Sequence, residues 1–288
     1  MQSKHTVKYL LSLAATIILF FQACEKDVIL DLADIPGNYI IVDANITDGG
    51  GLQWINLNLS SSYYDAGRGA PVTGAKVWIE DGENTFHFTE WVSDSLGGRY
   101  YNDEITYYLE ENTYYLYVET DGKTFQAQSH WRPVPVLDSV SLKINPFSQL
   151  GIFDDTIYDV FAHFKELPGS GDHYLFNMFI NDSLATPRPT DKSLVSDINL
   201  EDYVSISVMN INKKDLDHRD VITLEIRSIS EENFEFYSVF FFQTDLSGNP
   251  FAGAPPANIP TNLSEGARGF FQVSAIERSS VIYVDWEN

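Results

Sequence analysis

The chain has 288 residues, with 18 lysines and arginines against 41 aspartates and glutamates, for a formal net charge of −23. So acidic a surface repels phosphate backbones and anionic head groups, which argues against nucleic acid as a partner. One cysteine, Cys24, leaves no partner for an intramolecular disulfide and none for a thiolate zinc site, so stability has to come from buried apolar surface, for which the length suffices at about 100 to 150 residues per domain.

The first residues are polar and basic, with Lys4 and Lys8, and an uncharged apolar run follows from Tyr9 to Phe21. That is the layout of an export signal, and the run is shorter than the roughly 20 apolar residues of a membrane-spanning helix, so it is expected to be removed. Phe21-Gln22-Ala23-Cys24 resembles the lipobox of bacterial lipoproteins, in which a small residue precedes a cysteine that is acylated before cleavage, although Phe21 stands where leucine is usual. Residues 1–23 therefore read as a lipoprotein signal peptide and Cys24 as the lipidation site. Cleavage would remove two lysines and no acid, leaving the mature chain still more acidic. Residues 24–37 are acidic, end in Pro36-Gly37 and read as a tether.

From Tyr39 onward the pattern is β. Ile55, Leu57 and Leu59 alternate with Asn56 and Asn58, and Tyr114, Leu116 and Val118 alternate with Tyr115, Tyr117 and Glu119, the period of two of half-buried strands. Turn signals at Asp48 to Gly51, Gly67 to Pro71, Asp81-Gly82, Gly97-Gly98 and Asp121-Gly122 space these runs as in a sandwich, and the two Asp-Gly pairs supply the positive φ that tight hairpins demand. Residues 38–131 are expected to form an N-terminal β-sandwich. Arg132-Pro133-Val134-Pro135 suits a linker over 132–137, because two prolines so close cannot serve a central strand.

Residues 138–288 are expected to form a second β-rich, sandwich-like domain, with strands around Val204, Ile206 and Val208, around Ile222, Leu224 and Ile226, and at Val281 to Val284. One helix near 230–244 interrupts it. Ser228 with Glu231 has capping-box spacing, Glu231 and Glu232 suit a helix N-terminus, and Phe234, Tyr237 and Phe241 recur on one side, widened by Phe236, Phe240 and Phe242. The fold class is thus mainly β with one α-helix.

Several strings resemble Bacteroidota lipoproteins of the family called domain of unknown function 4249 (DUF4249). They are Cys24 to Leu32, Pro71-Val72-Thr73-Gly74-Ala75-Lys76-Val77, Thr120-Asp121-Gly122-Lys123-Thr124, Leu224 to Ile229, Asn249-Pro250-Phe251, Pro255-Pro256-Ala257-Asn258, Asn262-Leu263-Ser264 and Gly266 to Phe271. The resemblance implies a cell-envelope lipoprotein, often found beside TonB-dependent outer-membrane receptors, and implies no catalytic residue or ligand. The first domain also resembles the immunoglobulin-like, carboxypeptidase-regulatory type of sandwich, through Pro71 to Val77 followed by Gly98-Arg99-Tyr100. Such modules usually present or support another domain, and likeness of fold says little about activity.

Motifs for chemistry are sparse. His87, His130, His163, His173 and His218 show no metal-ligand spacing, and Asp215, Asp217 and Asp220 lack the glycine and late glutamate of an EF-hand, so no metal and no cofactor is expected. Gly169-Ser170-Gly171 is not a nucleophile elbow, so no catalytic residue is assigned. Adjacent tyrosines at 63–64, 100–101, 107–108 and 114–115 would place one ring of each pair on the outer sheet face, for recognition or for cross-strand packing. The candidate binding surface is the proline-rich segment from Asn249 to Phe271. Phe251 and Phe270 offer apolar anchors there, while Asn258, Asn262 and Arg268 offer hydrogen bonds to a partner or to the loop's own backbone.

These features point to a lipid-anchored outer-membrane protein, facing the cell surface or the periplasm, that captures a ligand or docks as an accessory of a TonB-dependent receptor. A hydrolase without a linear motif and an envelope adhesin are the alternatives. Cys24→Ala is expected to release the protein from the membrane fraction or to leave uncleaved precursor, read by fractionation and gel mobility; a variant that fractionates and migrates like the parent rules out the lipobox.

Overall fold

In the computed structural model, residues 39–61, 69–92, 97–150, 155–169, 171–200, 202–245 and 259–285 are described. Alternation becomes register in the first strands: β1 (Ile40–Thr47), β2 (Gln53–Leu59), β3 (Lys76–Glu80), β4 (Thr85–Glu90), β5 (Arg99–Asn102), β6 (Thr113–Thr120) and β7 (Lys123–His130). Ile40, Val42, Ala44 and Ile46 of β1, Ile55 and Leu57 of β2 and Tyr114, Leu116 and Val118 of β6 all turn into one core, while the residues between them face outward. The β6–β7 hairpin turns on Asp121 (φ 51) and Gly122 (φ 72), two consecutive positive φ angles as a two-residue turn of this hand requires. At Asp81-Gly82 only the glycine is left-handed, and the Asp81 carboxylate closes a longer loop by accepting the Glu83 and Asn84 amides.

The chain then builds β8 (Leu137–Ile144), β9 (Ile157–Lys165), β10 (His173–Ile180), β11 (Ser183–Leu184), β12 (Ser193–Ser196), β13 (Tyr203–Asn212) and β14 (Val221–Ile229). It ends with the helix α1 (Glu231–Asp245) and the strands β15 (Ala267–Ser274) and β16 (Ile276–Ile282). A sheet of order β13-β9-β8 stacks on one of order β11-β10-β14-β16, with β12 also on β10. Val160, Ala162 and Phe164 from the first, with Tyr174, Phe176, Ile222, Leu224 and Ile226 from the second, fill the space between them. A bulge between Ser207 and Met209 resets the alternation of β13, so Val208 and Ile211 rather than Val208 and Asn210 point inward. The chain is mainly β with a single α-helix among the described residues, as its patterning indicates.

The C-terminal strands depart from a simple division at residues 132–137. β15 joins the first sheet, parallel to β1, in the order β15-β1-β2-β5-β4-β3-β6-β7, and after Ala275 the chain enters the second sheet as β16 beside β14. Ala267, Phe271 and Val273 of β15 complete the first core, and the described residues all lie in one unit, Pro36–Asn288. Both edges of the eight-stranded sheet meet: Ser264 N donates to Gln126 O at 2.8 Å, Gln126 N to Ser264 Oγ at 3.0 Å, and Val273 N to Ser129 Oγ at 2.9 Å. Closure removes the unpaired edges that invite aggregation.

The capping of α1 differs from the expectation. Ser228 still lies in β14, where its hydroxyl donates to Arg132 O at 2.6 Å and accepts from Ala275 N at 3.2 Å. Ser230 caps instead, its Oγ accepting from Asn233 N at 3.2 Å. Tyr237 faces inward onto Leu175 and Ile229, with Phe234, Phe236 and Phe241 partly covered around it and Phe242 exposed. None of the described helices is long and apolar enough to cross a membrane.

Gly269 pairs with Val42 in the parallel ladder of β15 and β1. Its φ is +101°, and a Cβ there would lie 2.0 Å from the Val42 carbonyl oxygen. Gly269→Ala is expected to destabilise the protein by at least about 2 kcal/mol, since both the backbone angle and a rigid backbone atom oppose the methyl; a lowered urea midpoint checks it.

Candidate functional site

Strand alternation that fills one core leaves the other face of β10, β14 and β16 to be covered by something else. Tyr174, Phe176 and Met178 of β10 face the sandwich core, so Leu175 and Asn177 face away; likewise Ile222, Leu224 and Ile226 of β14 face the core and Glu225, Arg227 and Ile229 face away. Register then sets Asn177, Glu225 and Arg278 in one row across the three strands, and Leu175, Arg227 and Ile276 in the next. The outward side chains of β1 and β15, among them Ile41, Asp43, Asn45, Phe270 and Ser274, approach this face, α1 brings Asn233, Phe236, Tyr237 and Phe240, and the 187–192 segment adds Pro187, Pro189 and Lys192. Together they enclose a cavity of about 330 Å³, within the size range of small-molecule sites.

Charge in and beside the cavity is organised by Glu225, whose side chain is fully buried. Arg227 Nε donates to one carboxylate oxygen at 2.5 Å and Asn177 Nδ2 to the same oxygen at 2.9 Å, while Arg278 holds the other through Nη2 at 2.6 Å and Nε at 2.8 Å. Burial alone would push the Glu225 carboxyl up, but the Arg227 charge and then the bonds from Asn177, Arg278 and Arg227 hold it below the usual carboxylate range. Lys192 Nζ donates to Asn177 Oδ1 at 2.5 Å and to Thr186 O at 3.3 Å. Burial, with the nearby Arg227, brings the Lys192 ammonium down to about 8, against the opposing pull of Glu225, Asp43 and Asp191. Burial, with Asp43, pushes the Tyr237 hydroxyl up to about 12.

Asn233 is the outlier. It is 1 % exposed, lines the cavity, and neither its amide oxygen nor its amide nitrogen has a hydrogen-bond partner among the described residues.

Of the residues singled out from sequence, Phe270 lies in this cavity, 5 % exposed and 5.4 Å from the Phe236 ring. Asn262 lies elsewhere, at the seam between β7 and β15: its Nδ2 donates to Gln128 O at 2.9 Å and Phe271 O at 2.7 Å, and its Oδ1 accepts from Phe271 N at 3.0 Å. Its bonding capacity serves the protein's own backbone. Arg268 places its guanidinium 4.5 Å from the Tyr39 ring centroid and donates through Nη1 to Ala267 O. Cys24, Phe251 and Asn258 lie outside the described residues, as do Tyr63 and Tyr64. Tyr100 and Tyr114 are buried while their neighbours Tyr101 and Tyr115 are not, but Tyr107 and Tyr108 lie at a 3-10 turn and are both exposed, so alternation does not apply to them.

Lys192, Glu225, Arg227 and Asn233 were not singled out from sequence. On β14 the alternation Leu224-Glu225-Ile226-Arg227 reads as an ordinary solvent face, and only the helix folded over it makes it an interior. The acidic stretch at 215–220 shapes its own turn: Asp217 N donates to Asp220 Oδ2 at 2.7 Å, and Asn212 Nδ2 donates to Asp215 Oδ2 at 3.1 Å. Among the described residues no cluster of three or more His, Cys, Asp or Glu is placed to hold a metal. Ser141 Oγ lies 2.7 Å from His163 Nε2, but on the outward side of β8 and β9, and no described carboxylate bonds to the other ring nitrogen.

The fold and the cavity define a two-sandwich β protein whose sheets share a C-terminal strand pair and enclose one helix-covered, charged pocket. The profile of the DUF4249 family, a domain of unknown function, matches residues 25–280, and the chain belongs to that family. No curated protein sequence matches it. Among solved structures it is similar to one titled "Cytokine receptor complex - Crystal form 1A", at 10% identity and a TM-score of 0.26 over 67% of this chain and 85% of that one.

Asn262→Ala is expected to lower stability by about 2 kcal/mol, because it strips the partners from both backbone groups of Phe271 at the seam; equilibrium unfolding in urea reads it, and an unchanged midpoint would show that the seam tolerates water.

Proposed function

We propose that this protein is a cell-envelope lipoprotein, held to the outer membrane through an acylated Cys24, that captures a small ligand without transforming it and serves as an accessory of a TonB-dependent receptor. The observation that carries the capture reading is the cavity of about 330 Å³ between β1, β15, β10, β14 and α1, with apolar walls and a few convergent polar groups. Membership of the DUF4249 family and the lipobox-like Phe21 to Cys24 support the location, and the resemblance of the chain to lipoproteins found beside such receptors supports the partner.

A second reading, a hydrolase, draws on the Ser141–His163 pair, which has a nucleophile and a base at bonding distance but, among the described residues, no group orienting the base. Turnover of p-nitrophenyl acetate that Ser141→Ala abolishes would move the protein into that class.

Affinity capture of the tagged protein from detergent-solubilised envelope is expected to recover a TonB-dependent receptor in comparable amount. Recovery of the protein in the membrane fraction with no receptor in the eluate would remove the accessory role while leaving ligand capture to be read separately.

A further inference from the structure

Asn233 presents a physical problem that the fold alone does not solve. A buried amide with neither atom bonded costs about 1–3 kcal/mol per group, and native interiors rarely tolerate it. Here the helix position itself is not at issue, because the Asn233 backbone amide is satisfied by Ser230. A leucine in its place would bury as well without the penalty. What relieves such a side chain is a group that offers an acceptor and a donor together, and a second amide does so.

The charges of the cavity add a second requirement. Glu225 is shared by Arg227 and the half-exposed Arg278, Lys192 adds a third cation, and Asp43 in the lining takes one charge back, so one net positive charge remains in and beside the cavity. Only Nε of Arg227 is bonded among the described residues, so its terminal nitrogens keep their donors, and Arg227 lines the cavity. Asp43, the acid in the lining, is exposed and already accepts from Asn45 and Asn56 at 2.7 and 3.3 Å. A site with surplus positive charge inside a chain of net charge −23 is selective for an anion by contrast with its surroundings. Phe236, Phe240 and Phe270 supply the apolar wall.

We propose that this cavity binds an N-acylated apolar amino acid: its carboxylate on Arg227 and Lys192, its amide on Asn233, and its side chain against the α1 phenylalanines. This rests on the capture reading above and names the chemistry of that same site. Arg227 recognises a carboxylate through planar paired donors, whereas Lys192 acts as a point charge, so the first sets orientation and the second adds attraction.

The probe is N-acetyl-L-phenylalanine, titrated calorimetrically into the full-length protein, with three comparators: N-acetyl-L-phenylalanine amide without the carboxylate, 3-phenylpropanoate without the amide, and 3-phenylpropylamine with the opposite charge. Loss of either the carboxylate or the amide is expected to weaken binding at least tenfold, and the amine is not expected to bind. Asn233→Leu should weaken N-acetyl-L-phenylalanine at least tenfold, leave 3-phenylpropanoate at its wild-type affinity, and show a Tm no lower than wild type. Lys192→Met, an independent variant, should weaken both carboxylates and not the uncharged amide. If the amine or the uncharged amide binds best and Asn233→Leu still abolishes its binding, the ligand chemistry is wrong while the cavity remains a capture site. If none of the four gives heat, or if both variants bind N-acetyl-L-phenylalanine like wild type, Asn233 and the cations are answered by water and the proposed site is overturned, a result independent of whether a receptor is captured.

Discussion

The passage of one strand pair between two sheets is the constraint on which the rest of the structure depends. β15 lies parallel to β1 at the end of the first sheet, and a single buried residue, Ala275, separates it from β16 in the second. A parallel partner cannot arrive by a hairpin, so β1 waits for a segment more than two hundred positions later in the chain. Until β15 docks, Ile40, Val42 and Ala44 line an open edge and the first core lacks Phe271 and Val273. The two sandwiches are therefore not independent in the way that a proline-rich connection suggests, and a contact of such sequence separation is slow to form.

The same passage creates the cavity. β15 carries core residues on one side and Phe270 and Ser274 on the other, and because β16 continues into the second sheet, that other side is brought against Leu175, Arg227 and Ile229. Strands with two covered faces must satisfy polar groups on both. On the second face of β14 that need falls on Glu225, whose ionised form is retained by two arginines and an amide rather than by water. An acid buried so completely is strongly destabilising if any partner is lost, so the cluster fixes the register of β10, β14 and β16 as much as it holds charge.

An interior built this way has an asymmetry of satisfaction. Glu225 is over-supplied with donors, Lys192 is held by two neutral oxygens, and the Asn233 side chain, in the same wall, has no partner among the described residues. Structural packing explains the first two. An occupant of the cavity would supply what Asn233 lacks, and that imbalance adds to the cavity's size a reason for a ligand with both a donor and an acceptor.

Much of the first sandwich was legible in the sequence, because a half-buried strand writes its orientation into alternate residues: Ile55 with Leu57, and Tyr114 with Leu116 and Val118, all turn inward as their period indicates. The Asp121-Gly122 hairpin was equally legible, since few residue pairs accept two successive positive φ angles. The helix was legible in place but not in its cap, where Ser228 and Ser230 are chemically alike and only the end of β14 distinguishes them. The cavity was not legible, apart from Phe270. A Glu-x-Arg alternation on a strand is identical whether water or a helix lies over it, and Asn262 looks the same whether it serves a partner or a seam. Sequence by itself determined the composition of each face, the Asp121-Gly122 turn, the family and the acidic, disulfide-free character of the chain, because those depend on local geometry and on residue chemistry. Which faces meet was decided only by the tertiary structure, because pairing β1 with β15 and β14 with β16 is a choice among distant segments that no local period encodes.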